Sequence, residues 1–130
     1  MKQLITTLFI FIFLQPSWAS LYRNYQVEDG LSHNSVWAVM QDKQGFLWFG
    51  TVDGLNRFDG NSFKIYKKLQ GDSLSIGNNF IHCLKEDSHG HFLVGTKQGL
   101  YLFNRESETF SHVRLDNRSR GGDDTSINYI

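Results

Sequence analysis

The chain has 130 residues, and its 13 basic and 13 acidic side chains leave no formal net charge. A chain without net charge lacks the long-range field that draws proteins onto nucleic acid or anionic lipid, so we expect no nucleic-acid contact. Aromatic residues make up 15% of the chain, alongside 12 glycines and one proline, a mixture typical of short strands joined by tight turns. The composition therefore predicts an all-β protein.

The first 19 residues have the features of a helical signal peptide. Lys2 precedes an apolar run over residues 4–14, and small side chains stand before an expected cleavage site after Ala19. The apolar run is shorter than the roughly 20 residues that an apolar helix needs to cross a bilayer, which argues against an uncleaved membrane anchor. We therefore predict a signal peptide over 1–19, export from the cytoplasm, and a lead-in segment over 20–30.

The exported part repeats itself with a period of 45 residues. Eight of the 25 positions from 34 to 58 are identical after that shift, where unrelated sequences would share about one or two. The identical pairs are Asn34 and Asn79, Asp42 and Asp87, Gly45 and Gly90, Gly50 and Gly95, Thr51 and Thr96, Gly54 and Gly99, Leu55 and Leu100, and Phe58 and Phe103. A third copy is expected to start at 128–130, where Asn-Tyr-Ile resembles the Asn-Phe-Ile of 79–81.

Each repeat is predicted to form four short antiparallel strands separated by turns that contain Asp and Gly. In the first repeat the strands are expected over 35–41, 46–51, 55–58 and 62–67, and the second repeat follows the same pattern over 80–115. Residues 46–49 are all apolar, which indicates that both faces of the second strand are covered.

Four strands in about 45 residues is the size of a propeller blade, and a sheet that is apolar on both faces needs a neighbour on each side. A β-sandwich gives no reason for a fixed repeat, and a solenoid coil is usually shorter. The predicted fold is therefore an all-β propeller fragment, with blades over 31–70 and 71–118 and a truncated third blade starting within 119–130. Several further blades are required, so we expect the segment alone to be prone to aggregation.

Three motifs carry a family resemblance. They are Gly-Leu-Ser-His-Asn-Ser-Val at 30–36, Asp-x-x-Gly-x-Leu-Trp-Phe-Gly-Thr at 42–51, and Gly-Leu-Asn-Arg-Phe-Asp-Gly at 54–60, followed by Phe63. The chain resembles the repeat of the two-component regulator propeller family. The second copy departs from the pattern at His91 and Leu93.

This resemblance implies the periplasmic N-terminal part of a hybrid histidine kinase that is anchored in the inner membrane and acts as a homodimer. It implies further blades of the same propeller as partners, and an oligosaccharide or another small periplasmic ligand that controls transcription of polysaccharide-utilisation genes. The segment itself is expected to be non-enzymatic. A diguanylate cyclase output, or a secreted propeller lectin or glycoside hydrolase, remains an alternative.

The sequence predicts no catalytic residue, cofactor or metal in this segment. Glycoside hydrolysis needs two carboxylates on either side of the scissile bond, whereas the aspartates near glycines are expected to form turns. These aspartates are Asp42, Asp53, Asp59 and Asp87. His89 and His91 follow the last of them, but a structural zinc usually takes four ligands, and the single cysteine, Cys83, is expected to be a buried thiol on a strand.

The candidate ligand-binding residues lie on the first strand and in one turn of each repeat. Trp37 and His82 occupy matching positions on the strand expected to line the central channel, where a buried packing role is favoured over ligand contact. The turns between the second and third strands hold Asp53 in one repeat and Lys97 and Gln98 in the other, and they differ where the surrounding frame does not. Variation on a rigid frame is typical of a binding surface.

Overall fold

The computed structural model describes residues 22–114. A 3-10 turn over Val27–Asp29 is followed by eight strands. The strands are β1 (Val36–Gln41), β2 (Leu47–Thr51), β3 (Gly54–Phe58), β4 (Phe63–Tyr66), β5 (Ile81–Glu86), β6 (Phe92–Thr96), β7 (Gly99–Asn104) and β8 (Thr109–Val113). Within residues 22–114 no helix is long and apolar enough to cross a membrane. The predicted signal peptide over 1–19 and the predicted third-blade start over 119–130 lie outside the described residues.

Each strand pairs with the next in antiparallel fashion, which gives two sheets in the orders β1-β2-β3-β4 and β5-β6-β7-β8. The strands of the first sheet begin and end within one residue of their predicted bounds. The first turn of each sheet closes as predicted, since Gly45 N–H donates to Asp42 O at 3.0 Å and Gly90 N–H to Asp87 O at 3.2 Å. The all-β prediction of two four-stranded blades is confirmed.

Aromatic side chains join the two sheets face to face. Trp48 projects from β2 and is only 1% exposed, with its ring centroid 4.6 Å from that of Phe92 and 5.3 Å from that of Phe103. Tyr66 of β4 contacts Phe103 at 5.2 Å and Phe110 of β8 at 5.9 Å. Tilted and edge-on ring pairs of this kind stabilise a core beyond the apolar area they bury. Each blade therefore supplies part of the other blade's core.

A polar cluster lies over the outer part of the same interface. Glu108 of the β7–β8 turn accepts hydrogen bonds from Arg57 at 3.4 Å, from the Tyr66 hydroxyl at 3.0 Å, and from Lys64. The hydrogen bond from Lys64 holds the pKa of the Glu108 carboxyl below its usual value, whereas burial raises the pKa of Tyr66. The contact between blades is thus apolar inside and charged at its rim.

The other face of the first sheet is partly covered by the lead-in segment. The ring of Tyr25 lies 4.8 Å from that of Phe58 and 5.5 Å from that of Phe63, and Leu31 is buried beside them. Val39 and Ile65 remain 61% and 40% exposed. This exposed apolar surface agrees with the expectation that a blade needs further neighbours.

Candidate functional site

The predicted ligand residues gather at one end of the two sheets. In this antiparallel order the first strand starts, the second ends and the third starts at the same end. Trp37 and His82 lie near the starts of β1 and β5, and the turns after β2 and β6 bring Asp53 and Lys97 to that end. We call it the upper end. The first strands of the two sheets approach each other more closely than the fourth strands do, as expected for blades that fan out from an axis.

In both blades, a β-bulge in the first strand carries the predicted ligand residue. The ladder between β1 and β2 shifts register between positions 36 and 38, and the ladder between β5 and β6 shifts between 81 and 83. Trp37 and His82 are the extra residues at these shifts. A bulge re-aims the side chain that it carries, and bulges are frequent beside binding sites. The bulge therefore belongs to the repeat, whereas the side chain it presents differs between the blades.

An aromatic cluster forms where the two bulges meet. The Trp37 ring lies 5.4 Å from the ring of Phe80 and 6.3 Å from that of His82, and the rings of Phe80 and His82 are 4.5 Å apart. The Lys97 ammonium sits 4.2 Å from the Phe80 centroid, in the geometry of a cation–π contact. Trp37 is nevertheless 61% exposed, so core packing does not account for its ring. We call these four residues the upper cluster.

His82 contributes a polar atom to the upper cluster. Its Nε2 is buried and has no hydrogen-bond partner among the residues that the structure describes. Burial lowers the pKa of the His82 imidazole, and the nearby Lys97 ammonium lowers it further. The lowered pKa favours the neutral imidazole, in which one ring nitrogen donates a hydrogen bond and the other accepts one.

Charged and amide side chains flank the cluster. Asp53 accepts a hydrogen bond from Lys67 at 2.6 Å through Oδ2 and from Asn79 Nδ2 at 3.2 Å through Oδ1. Asn79 Oδ1 in turn accepts from the Lys68 backbone N–H at 2.7 Å. Asn79 directly precedes Phe80, so this chain of contacts connects Asp53 to the upper cluster.

Gln98 is a predicted ligand-binding residue that lies outside the upper cluster. It lies exposed in the turn beside Lys97, and its backbone N–H donates to Thr96 Oγ1 at 3.1 Å. The Asp53 N–H makes the matching bond to Thr51 Oγ1 at 3.0 Å. Both threonines are fully buried, so the same buried hydroxyl fixes two turns whose exposed residues differ.

Phe80 is a member of the cluster that was not predicted from the sequence. Phe80 matches Ser35 in the repeat and stands just outside β5. The sequence held one signal for it, which was an aromatic residue just before a strand at a position where the other repeat has a small polar residue. Cys83, the neighbour of His82, is only half-buried on β5, and burial raises the pKa of its thiol.

Three of the four predicted turn aspartates use their carboxylates within turns. Asp42 Oδ1 accepts from two backbone N–H groups at 3.0 Å, Asp59 Oδ1 from two at 2.8 Å, and Asp87 Oδ1 from two at 2.8 and 2.9 Å. Asp53 differs, because its carboxylate bonds to Lys67 and Asn79.

Donor atoms of Asp87, His89 and His91 come together in the first turn of the second blade. One ligand atom from each lies within 4.8 Å of the others. This turn lies where β5 ends and β6 begins, at the end of the sheets opposite the upper cluster, and we call that the lower end.

Comparison with known proteins shows similarity to proteins of two-component systems. Residues 30–53 and 75–98 match the two-component regulator propeller family. A histidine kinase of Formosa agariphila is 52% identical over 56 residues, which cover 43% of this chain and 4% of that protein. The extracellular domain of a hybrid two-component system from B. thetaiotaomicron is 35% identical with a TM-score of 0.65, over 81% of this chain and 14% of that domain. The chain therefore spans a small part of these relatives.

A second extracellular domain from B. thetaiotaomicron, of a one-component system, is 20% identical with a TM-score of 0.56, over 72% of this chain and 14% of that chain. It supports the fold alone.

Proposed function

We propose that this chain, as a member of the two-component regulator propeller family, is the exported ligand-sensing segment of a membrane-bound two-component regulator. The similarity to a histidine kinase and to the extracellular domain of a hybrid two-component system supports this role. The segment itself binds rather than catalyses, and the kinase that it serves lies elsewhere in the full protein.

The upper cluster is the proposed ligand site, and the exposed ring of Trp37 is the observation that carries this proposal. A 61% exposed indole, held in place by Phe80, offers a flat apolar platform. The His82 ring lies 6.3 Å from the indole, the Lys97 ammonium lies over Phe80, and Asn79, which bonds to Asp53, directly precedes Phe80. A platform with a few convergent polar groups is the usual composition of a small-molecule site.

An oligosaccharide is the proposed ligand. A sugar ring has apolar C–H faces that can lie on an indole, and hydroxyl groups that can bond to a neutral imidazole, an ammonium and an amide. Ligand binding is proposed to shift a homodimer between two arrangements and so to control genes for polysaccharide use. Such a shift requires unequal ligand affinity for the two arrangements.

Calorimetry of the complete exported part of the protein, with all its blades, against an oligosaccharide panel tests the proposal. At least one oligosaccharide should bind, and Trp37→Ala should weaken that binding about 5-fold or more, because truncating a central aromatic contact typically costs over 1 kcal/mol. Tyr22→Ala is the matched control, since Tyr22 is 89% exposed and is not part of the upper cluster. Lack of binding to every glycan, or equal affinity of Trp37→Ala and the parent chain, would contradict the proposal.

A further inference from the structure

The lower-end turn of the second blade holds three metal-ligating side chains in five residues. The hydrogen bond between His91 Nδ1 and Asp87 Oδ2 is 2.7 Å long, and His89 Nδ1 lies 3.8 Å from the same oxygen. We propose that these three side chains form a binding site for a late first-row divalent metal ion such as Zn²⁺. This proposal is independent of the ligand role of the upper cluster.

The distances suit a tetrahedral metal. Metal–nitrogen and metal–oxygen bonds of about 2.0–2.1 Å place tetrahedral ligand atoms about 3.3 Å apart. The separations of 2.7 and 3.8 Å from Asp87 Oδ2 lie on either side of that value, and the three ligand atoms all lie within 4.8 Å of one another, so small movements of the imidazoles would close the site around an ion. Zn²⁺ would displace the proton between Asp87 Oδ2 and His91 Nδ1, and each histidine would bind through Nδ1 as the neutral form that carries its proton on Nε2. Imidazole and carboxylate donors suit Zn²⁺, Cu²⁺ and Ni²⁺.

The backbone already fixes the carboxylate. Asp87 Oδ1 accepts the N–H groups of His89 at 2.9 Å and His91 at 2.8 Å, which leaves Oδ2 directed toward the imidazoles. Gly90 has a φ of +86°, a value that side chains rarely adopt, and it turns the chain between the two histidines. The carboxylate is therefore held before any metal arrives, and only the two imidazoles need to be ordered on binding.

The first blade shows why this oxygen is available. Its matching carboxylate, Asp42, uses Oδ2 to accept the indole N–H of Trp48 at 2.8 Å, and the side chain is fully buried. The second blade has Leu93 in place of Trp48, so no indole occupies the second oxygen. It also has His89 and His91 where the first blade has Gln44 and Phe46. The loss of the indole and the gain of two imidazoles coincide in one turn.

The site is exposed and has an open position. The side chains of His89, His91 and Asp87 are 78%, 59% and 31% exposed. Three protein ligands leave the fourth tetrahedral position to water or to an external group, so the four-ligand rule for structural zinc does not exclude binding. The ammonium of Lys43 lies 2.8 Å from the Asp87 carbonyl oxygen and opposes a second cation, which will limit the affinity.

Zn²⁺ calorimetry on the purified full chain tests the site with variants copied from the first blade. His89→Gln and His91→Phe restore the residues of the Asp42 turn, so the backbone frame is kept. We expect one Zn²⁺ per chain, and affinity reduced about 10-fold or more in each variant, since even removing a group that supports a metal ligand costs that much. Cobalt substitution provides a second readout, because tetrahedral Co²⁺ gives a visible absorption band that both variants should lose.

His33→Ala is the control, because it removes one of the five histidines at a distant position. Its affinity for Zn²⁺ should equal that of the parent chain. Circular dichroism of every variant separates loss of the ligand from loss of the fold. The proposal is overturned if the parent chain binds no Zn²⁺, if both turn variants bind as the parent does, or if His33→Ala weakens binding as much as they do.

Discussion

The two blades share one frame but fill it differently. Asp42 and Asp87 both accept two backbone N–H groups in their turns, yet the remaining oxygen bonds to the Trp48 indole in one blade and to the His91 imidazole in the other. The first carboxylate is fully buried, whereas the second is 31% exposed. The repeat therefore requires a carboxylate at this turn, whereas the side chain that bonds to its second oxygen differs between the blades.

A second pair of positions shows the same principle inside the sheet. In the first blade Ser32 and Asn56 bond to each other through a backbone N–H and side-chain groups, at 2.8 Å in both directions. The matching residues of the second blade are Gly77 and Tyr101. A Cβ on Gly77 would overlap the Tyr101 hydroxyl, so the larger ring and the missing side chain fit each other. Where space is limited, a different residue at one position is therefore matched by a different residue at the position that it contacts.

The largest expected difference between the blades concerns positions 48 and 93. Trp48→Ala should lower the free energy of unfolding by about 3–5 kcal/mol, because it leaves a cavity between the sheets and removes the indole N–H that donates to Asp42 Oδ2. Leu93 is only half-buried, so Leu93→Ala should cost less than half of that. Urea unfolding of the full chain measures both. Equal losses would contradict the assignment of Trp48 to the centre of the interface.

The pair of Gly77 and Tyr101 gives a smaller and reversible effect. Gly77→Ser should destabilise the chain by about 1–3 kcal/mol, because the new side chain meets the Tyr101 ring. The double variant Gly77→Ser with Tyr101→Asn copies the first blade and should recover most of the loss. The test is a comparison of urea midpoints for the parent chain, the single variant and the double variant. A double variant less stable than Gly77→Ser would show that the pair is not interchangeable between blades.

The smallest expected effect concerns acid and the rim of the blade interface. Because the hydrogen bond from Lys64 lowers the pKa of Glu108 in the folded chain, its stabilising contribution is complete above the unfolded-state pKa of about 4.3. That contribution is lost as pH falls through the lower folded-state value. Urea midpoints between pH 6 and pH 3 should therefore fall more steeply for the parent chain than for Glu108→Gln. Parallel curves would contradict a role for this carboxylate in joining the blades.

Much of the fold was predictable because the repeat marks its own boundaries. Asp and Gly at the turns and alternation along the strands located the first sheet to within one residue. The packing of Tyr25 on Phe58 was not predictable, because it joins the lead-in to a sheet through a contact that does not recur in the second repeat.

The candidate site was only partly predictable. Trp37, His82 and Lys97 were identified by their positions, and the structure places them in one cluster around Phe80. The bulges that present Trp37 and His82 depend on strand register, which the sequence alone does not fix. The replacement of Trp48 by Leu93 was visible in the sequence, but the carboxylate oxygen that it frees depends on a side-chain contact seen only in three dimensions.

The central claim is that the ligand binds at the upper end and not at the lower end. Amide and indole NMR spectra, recorded with and without a bound oligosaccharide, test this claim most directly. Signals from the Trp37 indole, from residues 80–82 and from Lys97 should shift, while the Trp48 indole and residues 87–91 should stay in place. Shifts centred on residues 87–91, or spread evenly over both blades, would contradict a ligand site at the upper end.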